Sequence, residues 1–337
     1  MTIEVKRIHV KGNSIIECED VDAPTPGPGQ VIVETRVSAI CGSEMGGYRG
    51  DRNAAGNSGH EAAGIVVELG EGVSELQLGQ RVGVSCVSGC GHCEYCAKGQ
   101  YTWCANFSFH GQMHAERFVT PAIACHALPD DVPWDVGVLI TGDGLGVPYH
   151  TSTKLVDRDV DTIAIFGLGP IGLGGVLLES FLGRRVIGID VAPRRLELAR
   201  ELGAVETIDA SQTEDVVVAV RELTGGKGPE VCIEAAGRPE TAKQCFQAVR
   251  TAGLVVFNGE QPAVTLSPSD DFIRRDIWAV GVWFYHFCEY PGMLDLYRSG
   301  LPVDKLVTHH FPLCQASEGY SVMAARESGK VLLDYGG

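Results

Sequence analysis

Four cysteines crowd into one short stretch, Cys90-Gly-His-Cys93-Glu-Tyr-Cys96-Ala-Lys-Gly-Gln-Tyr-Thr-Trp-Cys104. Three thiols at steps of three, with a fourth eight residues on, can wrap one tetrahedral Zn²⁺. Thiolate–zinc bonds of about 2.3 Å demand tight turns between ligands, and Gly89, Gly91 and Gly99 permit them. Disulfide pairing is the competing reading. It is disfavoured by the lack of a secretory signal and by the other eight cysteines, which are scattered without a pairing pattern. A four-thiolate site has no open position for substrate, so this cluster specifies a fold and the chemistry lies elsewhere.

A second constellation is Gly167-Leu168-Gly169-Pro170-Ile171-Gly172. It follows an apolar strand-like run, Thr162-Ile-Ala-Ile-Phe166, and opens an apolar helix-like run from Ile171 to Leu182. Asp190 closes the next strand-like run, Arg185 to Asp190. That context is what a dinucleotide cradle requires. The first glycine makes the turn, the second lets backbone approach the pyrophosphate, and the third allows close helix–strand packing. The helix N-terminus faces the phosphates. Asp190 can accept both ribose hydroxyls of NAD, and its carboxylate would repel a 2′-phosphate, so NAD is favoured over NADP. Arg194 and Arg195 follow; either can bind such a phosphate, pack on adenine, or serve as a solvated helix start.

Three further segments hold zinc-competent side chains: Ala39-Ile-Cys41-Gly-Ser43-Glu44, Ser58-Gly59-His60-Glu61, and Thr141-Gly-Asp143 running on to Tyr149-His150. Thiolate, imidazole and carboxylate suit a three-ligand site with room for water or substrate. The ligands lie far apart in the chain, so spacing alone does not unite them, and a lone buried Cys or His is usually structural.

The elements that must position these groups change character along the chain. Up to about residue 150, short apolar runs such as Gln30–Val37 and Ala63–Leu69 alternate with Gly and Pro turns, which reads as β-rich. From about Asp161, strand and helix alternate. Glu230–Ala235 and Gly253–Asn258 are later strands, which argues for a parallel sheet covered by helices. Near Pro291 the chain is expected to return to the first domain. The 337 residues suffice for two domains. With 45% hydrophobic and 21% charged residues the composition is that of a soluble protein. No run approaches the ~20 apolar residues of a membrane span, and no apolar run follows Met1–Arg7 as a signal peptide would require. A reducing, cytoplasmic setting is expected. The net charge of −16, without a basic run, disfavours nucleic acid and anionic membranes.

In order, Cys41-Gly-Ser43-Glu44, Gly59-His60-Glu61, the cysteine lobe and Gly167-Leu-Gly169-Pro-Ile-Gly172 resemble the zinc-dependent medium-chain dehydrogenase/reductase superfamily over essentially the whole chain. The resemblance implies an α/β protein with a GroES-like β-rich catalytic domain over residues 1–149. That domain carries a structural zinc lobe at 86–105. A Rossmann domain follows at 150–290, and 291–337 return to the catalytic domain. Two zinc ions per subunit are implied, and so are NAD(P)-linked oxidation of a small polar alcohol and a homo-oligomer, dimer or tetramer. Cys41, His60, Glu61 and Asp143 become the candidate ligands of the catalytic zinc, with Cys90, Cys93, Cys96 and Cys104 holding the structural one. Which of Glu61 and Asp143 ligates directly, and which through water, stays open. Ser43 and Glu61 are the candidate catalytic residues, Ser43 as proton relay. Gly167 to Gly172, Asp190, Arg195 and Ala235 are the candidate cofactor contacts. Asp143-Gly-Leu-Gly-Val-Pro-Tyr-His150-Thr151 is similar to the corresponding segment of both polyol (sorbitol-like) and threonine dehydrogenases, where simple-alcohol enzymes usually place Cys. This favours a polyol, sugar or cyclitol substrate, with a 2-amino-3-hydroxy acid as the alternative. A nucleotide-binding protein without turnover is a third reading, opposed by the intact Cys41, His60 and Asp143.

Several positions depart from the family pattern. Glu44 replaces the usual Asp, and Gly46 stands where a relay His is common. The stretch from Tyr48 to Gly59 is short. His110 and His114 are expected near the pocket, and the aromatic cluster Trp283–Phe287 near nicotinamide, core or subunit interface.

Overall fold

The computed structural model describes residues 4–51 and 58–336, so most of the short stretch after Tyr48, residues 52–57, lies outside the described residues. The chain forms two compact units. One holds the described residues up to Gly146, His286–Arg298 and those from Val307 on; the other holds Val147–Tyr285 and Ser299–Leu306.

In the second unit the apolar runs become six parallel strands in the spatial order Glu206–Asp209, Arg185–Asp190, Thr162–Phe166, Val231–Glu234, Leu254–Phe257, Trp278–Gly281. Numbered along the chain this is 3-2-1-4-5-6, the doubly wound order of a Rossmann domain. Thr162–Phe166 is buried at every position, as expected of a strand covered by helices on both faces. The helices Pro170–Phe181, Pro193–Glu201 and Pro239–Ala248 each begin on proline. Its missing N–H is harmless in a first helical turn. Phe166, Ile187, Ile189, Phe246 and Val255 belong to the core of this unit.

The first unit is built on a mostly antiparallel sheet in the order Val307–Pro312, Lys330–Asp334, Gln30–Ile40, Ala62–Leu69, Arg81–Val84, Cys125–Ala127, with Arg117–Pro121 also paired to the long strand Gln30–Ile40. Register matters most here. Val331 lies opposite Ile40, and Ala62 opposite Ser38. Hence Lys330 and Cys41, each one residue beyond the Val331–Ile40 pair, and Glu61, one residue before Ala62, emerge together at one end of the sheet.

One pairing departs from the sequence reading of scattered cysteines: Cys18 and Cys314 form a disulfide across a sequence separation of 296. Spacing carries no trace of it, because the partners sit on an N-terminal hairpin and a late turn. Among the described residues no helix is long and apolar enough to cross a membrane.

Candidate functional site

Sheet register and a helix start bring Cys41, His60, Glu61 and Asp143 together, with one ligand atom from each lying within 4.8 Å of the others. The Cys41 thiol donates to Asp143 Oδ2 at 3.2 Å, and His60 Nε2 lies 3.0 Å from the same oxygen. Asp143 stands in the first turn of the helix Asp143–Thr153, where a carboxylate is favoured. Gly59 is needed before His60. Its φ is +87°, and a Cβ there would sit 2.5 Å from the His114 ring.

Cys41, His60 and Glu61 are buried, and Asp143 nearly so. Burial and the Asp143 carboxylate push the Cys41 thiol up. Desolvation opposes protonation of His60, yet Cys41 and Asp143 raise it well above its ordinary value. The imidazole is thus pressed to act as a cation among acidic groups. A Cys41 thiolate with ionised Asp143 and Glu61 gives three negative charges, and Lys330 supplies one positive. The balance of −2 is what one divalent cation neutralises, and metal binding would take the thiol proton. The donor set therefore fits zinc.

Two supports of this cluster escaped the sequence reading. Lys330 is buried and its Nζ pairs with Glu61 Oε1, while Glu61 Oε2 accepts from the Gly144 N–H at 3.2 Å. Burial pushes the Lys330 ammonium down, but Glu61, Cys41 and Asp143 together hold it above its ordinary range; burial raises the Glu61 carboxyl, and Lys330 pulls against that rise. Glu44 is buried behind Cys41. Its Oε1 accepts the Cys41 N–H at 3.0 Å, its Oε2 lies 3.2 Å from His114 Nε2, and it accepts from the Tyr320 hydroxyl. His114 Nδ1 is 2.7 Å from Ser38 Oγ, which also meets the Tyr335 hydroxyl at 2.8 Å. Against burial, His114, with His60 and the Tyr320 hydroxyl, holds Glu44 below the usual carboxylate range. His114 is therefore a partner of Glu44 inside the protein, not a pocket-lining group. The only advance signals were a Glu in place of Asp and a Lys opening an apolar strand.

Ser43 is exposed on the turn Gly42–Glu44, directly after Cys41. His110 Nε2 meets Ser88 Oγ at 2.7 Å, and the half-exposed Phe109 ring stands 5.5 Å from His60. His286 bonds Thr102 Oγ1 at 2.9 Å through Nδ1 and meets Trp103 edge-on, so this part of the aromatic cluster packs on the cysteine lobe.

In that lobe one atom from each of Cys90, Cys93, Cys96 and Cys104 again lies within 4.8 Å of the others. Cys93 and Cys96 Sγ are 3.4 Å apart, and Cys90 and Cys96 Sγ 3.9 Å. Four thiolates around zinc would be spaced about 3.8 Å apart. Backbone N–H groups of His92 and Cys93 lower the Cys90 thiol to about 6, while burial pushes Cys96 up to about 12. Such crowded thiols ionise together only around a cation, so this set also fits zinc.

The glycine turn is formed in the second unit. Gly169 caps the helix Pro170–Phe181. A Cβ on Gly172 would lie 1.9 Å from the Gly167 carbonyl oxygen, so no other residue fits. Asp190 Oδ2 accepts the Leu168 N–H at 2.7 Å, and Oδ1 accepts those of Val191 and Ala192 at 2.7 and 2.9 Å. Arg195 Nη1 approaches to 3.9 Å of where a Gly169 Cβ would stand, whereas Arg194 pairs with Glu197 and Glu201 along its own helix. Ala235 donates its N–H to Phe166 O at 2.8 Å. The open side of Gly169 and the fixed Asp190 carboxylate fit a dinucleotide.

Residues 27–130 match the alcohol dehydrogenase GroES-like domain and residues 170–299 the zinc-binding dehydrogenase domain. An L-threonine 3-dehydrogenase from Chromobacterium violaceum is 30% identical over 332 residues, covering 95% of this chain and 96% of its own. An alcohol dehydrogenase from E. coli CFT073 complexed with NADH superposes with a TM-score of 0.87 at 27% identity, covering 98% and 99% of the two chains. A structure from Sinorhizobium meliloti 1021 bound to NADP, described as a zinc-binding dehydrogenase, gives 0.86 at 28%, covering 99% and 100%.

Proposed function

We infer the function from a fixed premise: the chain belongs to the zinc-dependent medium-chain dehydrogenase/reductase superfamily and is an oxidoreductase of the zinc alcohol dehydrogenase family. On that premise it oxidises a secondary alcohol of a small polyol, sugar or cyclitol and delivers the hydride to NAD. The observation that carries this reading is the convergence of Cys41, His60, Glu61 and Asp143 on one point, with a carboxylate where simple-alcohol enzymes place cysteine. Zinc held there would supply Lewis-acid polarisation of the substrate hydroxyl, and NAD in the glycine cradle would supply the hydride acceptor.

The chain's own residues do the rest. Cys41, His60 and Asp143 would hold the metal, Lys330 favours the charged form of Glu61, and Glu44 orients the Cys41 turn through its backbone N–H. Ser43 Oγ, exposed beside Cys41, takes the substrate proton toward solvent. The cysteine lobe would hold a second zinc and, with no open position, take no part in the chemistry. A second reading, oxidation of a 2-amino-3-hydroxy acid, is favoured by the threonine dehydrogenase relative.

The test is NADH formation at 340 nm with a panel of polyols, cyclitols and threonine, before and after chelation. Turnover with one class, lost on chelation and restored by Zn²⁺, is expected. Turnover with threonine alone selects the second reading, and reduction of NAD by none of them removes the enzymatic one.

Cofactor choice has its own test. Asp190→Ala should raise the NADP-to-NAD ratio of kcat/KM by about tenfold or more, because charge-assisted bonds to the ribose hydroxyls are lost and a repulsion is removed. An unchanged ratio in steady-state kinetics would take Asp190 out of the discriminating role.

A further inference from the structure

Glu234 ends the strand Val231–Glu234, beside Thr162–Phe166, at the point where the strand order of the sheet reverses. Ligands of doubly wound sheets lie in the crevice at such strand ends. The turn after Glu234 forms one wall of that crevice, since Ala236 N stands 2.6 Å from where a Cβ on Gly167 would be. Glu234 is buried and saturated with donors. Its Oε1 accepts the N–H groups of Ala236 and Gly237, both at 3.0 Å, and the Thr241 hydroxyl at 2.6 Å. Its Oε2 accepts Gly237 N–H and Gln261 Nε2, both at 3.2 Å.

The last contact fixes an orientation. A carboxylate accepts but does not donate, so the Gln261 amide must present Nε2 to Glu234 and turn Oε1 away. Gln261 Oε1 is buried and accepts no hydrogen bond among the described residues. Buried polar atoms are almost always satisfied, and one that is not calls for an explanation. Gln261 follows the strand Leu254–Phe257, on the opposite side of the crevice from Asp190. With Asp190 on the adenosine ribose, that side belongs to the nicotinamide half.

We propose that Gln261 is a further cofactor-binding residue whose carboxamide oxygen accepts a hydrogen bond from a hydroxyl or amide group of the nicotinamide half, and that Glu234 is the positioning residue that orients it. The assignment rests on the nucleotide reading given under Proposed function. Gln261→Met keeps the size and removes the acceptor. Glu234→Gln releases the constraint on the Gln261 amide and sets a donor against donors.

Binding of NADH and of AMP, which lacks the nicotinamide half, is measured by calorimetry on the zinc-loaded protein and both variants. Gln261→Met should weaken NADH about tenfold, the order for a lost buried hydrogen bond, and leave AMP unchanged. Glu234→Gln should weaken NADH in the same selective way. The KM for NAD should rise in both, with the KM for the alcohol unmoved. Unchanged NADH affinity in Gln261→Met overturns the proposal, and so does equal weakening of NADH and AMP, which would mark Gln261 as merely structural. Should Glu234→Gln fail to fold, Gln261→Met alone decides. A parent protein that binds neither NADH nor NADPH would sink the nucleotide reading and this assignment with it, whereas tight NADH binding with an indifferent Gln261 sinks only the assignment.

Discussion

Replacing Cys41 with serine, or His60 with alanine, should cut alcohol-dependent reduction of the dinucleotide by at least about 10³-fold while the fold persists. Metal polarisation of the reacting oxygen contributes several kcal/mol of transition-state stabilisation, and about 4 kcal/mol corresponds to 10³ in rate. Cys41 and His60 both meet the same Asp143 oxygen, so loss of either opens the donor set. The sheet end that carries them is held independently by backbone pairing of Gln30–Ile40 with Ala62–Leu69 and Lys330–Asp334. Metal analysis should therefore find about one zinc fewer per chain, with an unchanged far-ultraviolet circular dichroism spectrum. A Cys41→Ser protein with parental kcat would remove the catalytic role of this cluster.

The cysteine lobe should respond differently. Cys93 caps the short helix Glu94–Ala97 by accepting the Cys96 N–H, and Cys104 accepts the Cys90 N–H. Loss of a thiol there disturbs local folding before it disturbs chemistry. The clustering of the lobe thiols was legible in the sequence because each lobe cysteine is near its partners, and the same holds for the glycine turn from Gly167 to Gly172. The Cys41, His60 and Asp143 cluster was legible only through the order of its motifs, because the sheet register that unites them is set by pairings far apart in the chain. Lys330 lies 269 residues from Glu61, and its one local mark, a charge opening an apolar strand, does not name its partner. Glu44 read as a departure from Asp; the structure gives its longer side chain a purpose, since it reaches His114 and Tyr320 while keeping the Cys41 N–H. The Cys18–Cys314 disulfide and the Gln261 orientation likewise depend on contacts that the fold creates and local pattern does not carry.

Lys330→Met should destabilise the zinc-free protein by about 3–5 kcal/mol, the order seen when one partner of a buried ion pair is removed. Lys330 and Glu61 side chains are both fully buried. With methionine in place, Glu61 loses its cation and stays close to Asp143, whose charge raises its proton affinity further. The double variant Glu61→Gln/Lys330→Met should recover most of the loss, because no uncompensated charge remains. Charge balance sets a further sign. Once the incoming ion has displaced their protons, the three acidic groups without Lys330 present −3 to it, so zinc should bind this variant more tightly and offset part of the destabilisation. Urea denaturation of the chelated and zinc-loaded forms, for the parent, the single and the double variant, reads both effects. The expected order is a large loss in the chelated single variant, a smaller one with zinc, and near recovery in the double. Equal losses with and without zinc would show that Lys330 does not share the electrostatics of the metal cluster. No loss in either form would show that the pair does not hold Glu61 in place.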